Sequence, residues 1–533
     1  MNSGLTIQHM FDYATTYFPD QTIVCRKPEG TIRLSYQEFG HRTRRLAAAL
    51  MALGVGPGDR VGTFLWNDLP HLEAYFAVPL IGGVLHTINI RLPADQLLYL
   101  VNHPEDRVLI VDRTLWPALA PLRERLTSVT AIILTGRSPD PDPLGTLDYD
   151  TILEETDGHF DYPAVQETMP MGLCYTSATT GNPKGVLYSH RGMYLHSLTL
   201  GLANTLGISL EDTVLPIVPM FHVNAWGIPF AAVWFGAKMV LPGPAPQAST
   251  LLDLMRDESV TLAAGVPTVW LSIARELEAR PTRLALRAAV AGGSAAPATL
   301  IRLFESTFRI PFIHAYGMTE TSPLVTVSRL KPHHRTLSDE EQLAIKATQG
   351  FLVPGLAMKL ERDQHPVPWD GESVGELCLQ GPWIADEYYR DPRTRDTFID
   401  GWLHTGDLAS VTQEGYVHLR DRTKDVIKSG GEWISSVDLE NALMAHPAVF
   451  EAAVVSVPHP QWGERPLAFV VVKEGRSATQ EELRKSLRDR FAKWQLPDGI
   501  LFVPEIPKSS VGKFLKRALR DAYRDYFQPS SGE

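Results

Sequence analysis

Apolar and polar positions along the first part of the chain follow two rhythms that keep changing places. Leu46, Leu50 and Leu53 recur at helical spacing behind a capping-box pattern at Ser35 and Glu38, and the run stops at Gly54. After the turn GVGPGD, an apolar run predicts a strand over 60–66. A helix over 71–77, a strand over 83–88, a helix over 93–101, a strand over 107–112, a helix to about 126 and a strand over 129–136 continue the alternation. Repeated βα units of this kind predict an α/β fold with parallel sheet covered by helices. A second such region runs through helix 248–258, strand 260–266, helix 269–278 and strand 286–294. That last strand ends in Gly292, Gly293 and Ser294, and open α/β sheets hold their ligands at the carboxyl ends of strands.

Past about residue 346 the pattern changes. Glycine-punctuated segments such as VGELCLQG and GYVHLRDRTKDVIKSGG predict antiparallel hairpins and a distorted β-barrel. The remainder, with helix Ser436–Met444, strands FEAAVVSVP and RPLAFVVV, and helices over 479–491 and 513–526, predicts a small α+β domain.

Composition narrows the function classes. A chain of 533 residues exceeds a single core and predicts two to four domains. The net charge of −11 argues against a nucleic-acid partner and leaves no basic stripe for a membrane surface. Cys25, Cys174 and Cys378 are scattered without a CxxC pair, which predicts neither a disulfide framework nor a zinc cluster and fits a reducing cytoplasm. The opening MNSGLTIQHMFDYATTYFPD is too interrupted by polar residues for a secretory signal. Residues 213–237 carry no charge, but Pro216, Pro219, Pro229, His222 and Asn224 speak for a buried segment lining a pocket rather than a membrane span.

The stretch with the most chemistry is CYTSATTGNPKGVLYSHR, residues 174–191. It reads as strand, polar loop, strand. Small hydroxyls, amides freed by glycine and one lysine, Lys184, suit an oxyanion such as a polyphosphate. The same residue types also make an ordinary hairpin turn. The common phosphate loop, GxxxxGK[ST], is absent here, because Gly185 follows Lys184 where that motif needs Ser or Thr.

YTSATTGNPKG resembles the phosphate-binding signature of the adenylate-forming superfamily: acyl-CoA synthetases, peptide-synthetase adenylation domains and luciferases. The resemblance assigns Thr176, Ser177, Thr179, Thr180 and Gly181 to ATP, with Lys184 as a catalytic cation. One departure stands at Ala178, where the family usually has glycine. It adds a methyl group and spares the hydroxyls and the lysine. HAYGMTETSP resembles the family's adenine and metal motif. It implies that Tyr316 stacks on adenine, Thr319 bonds the α-phosphate and Glu320 meets Mg²⁺, a hard cation that prefers oxygen. Gly293, Ser294 and Ala295 then floor the purine, and Asp407 of WLHTGDLA and Arg422 take the ribose hydroxyls.

The resemblance further divides the chain into 1–423, which binds ATP and acid, and 424–533, a mobile domain with its hinge at Lys424. In that mobile part Lys513 of PKSSVGKFLKR is the catalytic lysine between carboxylate and α-phosphate, and Lys428, Gly430 and Gly431 line a channel for CoA, with His459 as a companion. The need for Lys513 is physical, because a carboxylate attacking a phosphate brings two anions together in a low-dielectric site. VPMFHVNAWG resembles the acyl pocket of fatty acyl-CoA synthetases, with His222 at the carboxylate end and Trp226 as a gate. The absence of charge in that segment implies a hydrophobic monocarboxylate. Nearly the whole chain resembles medium- and long-chain fatty acyl-CoA synthetases, which implies ATP, a hydrophobic carboxylic acid and CoA as partners and a possible homodimer. The rival readings are the same chemistry on a bulky polycyclic acid, transfer to a carrier protein, or a silent nucleotide-binding relative.

Overall fold

The computed structural model describes residues 4–136, 143, 145–176, 182–430, 432–488, 490–509 and 512–528. Among these, three sheets carry the architecture. The first holds, in spatial order, Leu147–Asp148, Ala131–Thr135, Val108–Asp112, Arg60–Phe64, Val84–Thr87, Pro170–Tyr175 and Gly185–Ser189. Every neighbouring pair is parallel except the last, so the strands on either side of the phosphate-loop sequence form an antiparallel pair.

The second sheet is the larger. Its parallel part runs through Lys238–Leu241, Thr213–Pro216, Leu262–Gly265, Ala288–Ala291 and Phe312–Gly317. It then continues without a break into the antiparallel strands Leu324–Val327, Gly350–Leu352, Tyr416–Arg422, Trp402–Val411, Gly375–Gln380 and Ala357–Arg362. The strands expected to form a distorted barrel therefore extend the α/β sheet. Cores form on both faces: Trp270, Phe304 and Phe312 pack edge to face under one, while Phe76 and Phe230 meet between the two large sheets.

The third sheet is small: Glu432–Ile434, Ile427–Ser429, Gly463–Val472 and Val449–His459, with Gly499–Phe502 added in parallel. Tyr416–Arg422 belongs to the large sheet and Ile427–Ser429 to the small one, so the chain changes sheets across 423–426.

Two expected helices differ. In place of a helix reaching 126 there is a short helix Trp116–Leu119 followed by a 3₁₀ segment Ala120–Arg125, where Pro117 and Pro121 each remove an amide donor. The helix expected over 513–526 is Lys516–Ala522, and Lys513 precedes it in a tight turn. Gly512 sits at φ +81° and donates to the Ser509 carbonyl, and the Leu515 amide bonds Pro507, so a hairpin forms where helix was expected. Among the described residues no helix is long and apolar enough to cross a membrane.

Candidate functional site

The site opens where strands of both large sheets end. Pro170–Tyr175 delivers Thr176, Ala288–Ala291 delivers Gly292 and Gly293, and Phe312–Gly317 delivers the 3₁₀ turn Thr319–Thr321. All of these border one cleft of roughly 1260 Å³. Ser177, Thr179, Thr180 and Gly181 lie outside the described residues, as does Ala178.

Lys184 follows that loop and is tied back to its other end. Its carbonyl accepts from the Thr176 amide at 2.9 Å and its amide donates to Thr176 Oγ1 at 3.2 Å. Lys184 Nζ donates to Tyr388 Oη at 2.6 Å, and Tyr388 in turn donates to Glu320 Oε1 at 2.7 Å. The tyrosine thus spaces the cation from the carboxylate. Burial lowers the Lys184 pKa, with Glu320 opposing; burial and then Glu320 raise that of Tyr388. Sequence reasoning missed Tyr388, and also Arg393, which donates to the Asn182 carbonyl at 3.1 Å and braces the same loop. Only proximity in space singles them out, since DEYYRDPR has no motif character.

The residues expected at the nucleoside are directly opposed. Asp407 and Arg422 face each other across two antiparallel strands. Asp407 is buried; its Oδ1 lies 3.1 Å from Arg422 Nε, and its Oδ2 accepts from Tyr316 Oη at 2.6 Å. A carboxylate has about four lone-pair sites, so capacity for ribose hydroxyls remains. Tyr316, Gly293, Ser294 and Ala295 all border the cleft. Gly293 stands at φ +83°, a conformation that favours glycine. Thr319 and Glu320 are buried at the cleft wall, and Tyr188 Oη donates to the Thr319 carbonyl at 2.8 Å.

Lys513 enters from the small domain. A side chain built on Gly293 would meet Lys513 Cε at 3.4 Å, and one on Gly512 would meet Thr268 Oγ1 at 3.2 Å, so Gly512 and Lys513 lie directly against Gly293 and Thr268. Burial, and then the nearby Arg422 charge, lower the Lys513 pKa to about 8. Lys424 borders the same cleft within the sheet-changing segment.

The acyl side has a different construction. Val223, Asn224, Ala225 and Trp226 all have φ between +47° and +61°, followed by Gly227 at +67°. This is one turn of left-handed helix made from residues with side chains, costing roughly 1–2 kcal/mol per residue. Its product is the placement of Trp226, whose Cη2 lies 3.2 Å from where a Gly292 Cβ would stand. His222 borders the cleft, and burial, then Lys513, lower its pKa to about 3, so it is neutral. Beneath the turn, buried Asn224 accepts from Thr87 Oγ1 at 3.3 Å and from the Cys174 thiol at 3.2 Å.

The expected CoA-channel residues stand apart from the cleft. Lys428 is exposed on the small sheet, with its amide on Glu464 Oε2 at 2.8 Å. Gly430 is at φ +60° against the Trp462 ring. Gly431 lies outside the described residues, and His459 packs near Phe527.

Comparison with known proteins shows the family. Residues 11–389 match the AMP-binding enzyme model and 438–513 match the AMP-binding enzyme C-terminal domain. The chain is 48% identical to the long-chain-fatty-acid–CoA ligase of Thermus thermophilus, covering 99% of this chain and 97% of that protein. It is 41% identical to the medium-chain-fatty-acid–CoA ligase of Ectopseudomonas oleovorans, covering 100% and 98%. The crystal structure of the anthranilate CoA ligase AuaEII in complex with anthranoyl-AMP superposes with a TM-score of 0.88 at 25% identity, covering 97% of each chain. Two matched domains and alignment from end to end leave one conclusion: the chain belongs to the AMP-binding enzyme family.

Proposed function

We propose that this protein is an ATP-dependent, AMP-forming acyl-CoA ligase for a hydrophobic carboxylic acid, in the medium- or long-chain fatty-acid range of two of the ligases it is similar to. The observation that carries the reading is that Lys184, Glu320, Asp407 and Lys513, from distant parts of the chain, border a single cleft.

In the first step the acid's carboxylate oxygen attacks the α-phosphorus of ATP and pyrophosphate leaves, giving acyl-AMP. Lys513 stands between the two anions, Lys184 faces the departing phosphates, and Asp407 with Arg422 holds the ribose. Glu320 is a buried hard-oxygen donor on the cleft wall, held by a single hydroxyl, and this fits Mg²⁺. When bound, that ion neutralises phosphate charge. The neutral His222 and Trp226 border the end that receives the acid, and the uncharged segment around them offers no partner for a second substrate charge.

In the second step the CoA sulfur attacks the acyl carbon and AMP leaves. We assign 1–423 to substrate binding and 424–533 to a unit that turns about Lys424. The turn withdraws Lys513 and brings Lys428, Gly430 and Gly431 toward the cleft. Such a hinge needs only residues able to absorb a φ/ψ change, and 423–426 is where the chain leaves one sheet for the other.

The test is pyrophosphate release across a panel of straight-chain and ring-containing acids, with and without CoA. Release that depends on a straight-chain acid, with acyl-CoA formed when CoA is present, is the expected result. Preference for ring acids would move the substrate toward that of the anthranilate ligase. ATP binding with no acid-dependent release would overturn the reading.

A further inference from the structure

Beside the turn that carries Asp407 lies a cluster to which the proposed ligase chemistry assigns no role, although Glu376 and His404 also border the cleft. Three adjacent strands, Ala357–Arg362, Gly375–Gln380 and Trp402–Val411, place Cys378 directly opposite His404 on one side and Lys359 on the other, with Glu361 opposite Glu376 in the next row. Alternate residues share a face, so Leu377 and Leu379 go to the core while Glu376 and Cys378 share the other face. Cys378 Sγ lies 3.6 Å from His404 Nδ1 and 3.8 Å from Glu361 Oε2. One ligand atom from each of Glu361, Cys378 and His404 fits within a sphere of mutual separation of 4.8 Å.

Those spacings suit a particular class of ion. Zinc bound tetrahedrally at about 2.3 Å to sulfur and about 2.0 Å to nitrogen or oxygen keeps such ligand atoms roughly 3.3–3.5 Å apart, close to the two spacings to sulfur. A thiol, an imidazole and a carboxylate select a borderline-soft divalent cation over Mg²⁺ or Ca²⁺. Lys359 Nζ holds the other Glu361 oxygen at 2.9 Å, which leaves Oε2 turned to the cluster. Cys378 has no exposed surface, but the His404 and Glu361 side chains are 18% and 22% exposed, so an ion reaches the thiol past them.

The site is wired to the nucleotide. Glu376 Oε2 lies 3.2 Å from the same His404 Nδ1, while its Oε1 accepts from the Gly406 amide at 2.8 Å. Gly406 precedes Asp407, whose own amide donates to Thr405 Oγ1 at 3.1 Å. An ion at Nδ1 takes that nitrogen from Glu376 and draws the carboxylate away from the turn.

We propose that Glu361, Cys378 and His404 form a binding site for a thiophilic divalent cation such as zinc, and that filling it loosens the turn carrying Asp407. Binding forms metal–sulfur, metal–nitrogen and metal–oxygen bonds and releases the thiol proton to solvent. The proton that Nδ1 shares with Glu376 moves to Nε2, so the imidazole binds the ion as its neutral Nε2–H form. The binding half stands by itself; the loosening half rests on Asp407 holding ribose.

Cobalt(II) titrated anaerobically into the full-length protein is the direct probe. The expected result is a near-ultraviolet thiolate-to-cobalt charge-transfer band, saturating at one equivalent and erased by zinc. It disappears in Cys378→Ala, weakens in Glu361→Gln and persists in His334→Ala. The last variant alters the other histidine-containing cluster, His333, His334 and Glu414, which has no sulfur. Cys378→Ser, of equal size, repeats the loss should the alanine variant fold poorly. No band in the wild type, or an undiminished band without Cys378, overturns the site. In pyrophosphate-release assays with ATP varied at constant free Mg²⁺, zinc should raise the KM for ATP about tenfold, the scale of one hydrogen bond to a charged group, and leave Cys378→Ala unaffected. Equal inhibition of both proteins overturns the coupling while leaving the band, and the ligase reading, intact.

Discussion

The two ends of the cleft are made by opposite means. At the nucleoside end, regular antiparallel strands set Asp407 opposite Arg422, Tyr316 reaches over to close the group, and none of these three side chains sits on a left-handed backbone. At the acyl end, the backbone itself is bent out of the common regions at four side-chain-bearing residues in succession, and Val218, Phe221 and Trp226 border the cleft there. ATP has fixed functional groups, so its end needs specific donors and acceptors at set positions. An apolar chain needs a shape, and shape is supplied by packing that holds a strained turn in place.

This contrast predicts that the nucleoside end breaks by loss of chemistry and the acyl end by change of preference. Asp407→Asn removes the charge that Arg422 and Tyr316 share; the KM for ATP should rise between about tenfold and a hundredfold, as for hydrogen bonds to charged groups, with the ranking of acids unchanged. Trp226→Ala should do the reverse. Relative kcat/KM among acids of different length should shift about tenfold, in line with roughly 1–3 kcal/mol per methylene contact, while the KM for ATP stays put. Either variant moving both constants equally would erase the distinction.

A smaller effect concerns pH. Lys513 must be protonated to bridge two anions, and its pKa in the free enzyme is about 8. The kcat/KM for ATP should therefore fall as pH rises through about 8, whereas kcat, reporting the complex with bound phosphates, should fall only at higher pH. Stability moves the other way: the unfolded lysine binds its proton up to about 10.5, so between those values the unfolded state holds more protons and stability rises with pH. Smallest is Ala225→Gly. Alanine here has φ +47° and is fully buried. Removing its methyl relieves left-handed strain and should stabilise the protein by about 1 kcal/mol or less, read by thermal unfolding.

The same division explains what was legible in the sequence. The βα rhythm gave the parallel sheets because burial on both faces forces apolar strands between amphipathic helices. Tyr316, Glu320, Asp407 and Lys513 stood out through motifs, and all four border the cleft. Tyr388 and Arg393 did not, because their roles come from contacts with Glu320, Lys184 and Asn182, distant in sequence. The left-handed turn was invisible for a stronger reason: Val, Ala and Trp carry no preference for positive φ, so only tertiary packing can impose it. Lys513 was placed in a helix because KFLKRAL has helical spacing, and the Gly512 turn with the Pro507–Leu515 bond overrode it. The scattered cysteines have no CxxC pairing that predicts a zinc cluster, and the grouping of His404 and Glu361 with Cys378 comes from strand pairing at positions no spacing rule joins.

The central claim is that cations from separate domains meet around one nucleotide to permit an anion-on-anion attack. Measuring the two half-reactions of Lys513→Ala separately tests it most directly. Pyrophosphate release should drop by at least about a hundredfold, the scale of a lost transition-state charge partner, while conversion of supplied acyl-AMP and CoA to acyl-CoA stays close to wild type. Equal losses in both half-reactions would contradict the account.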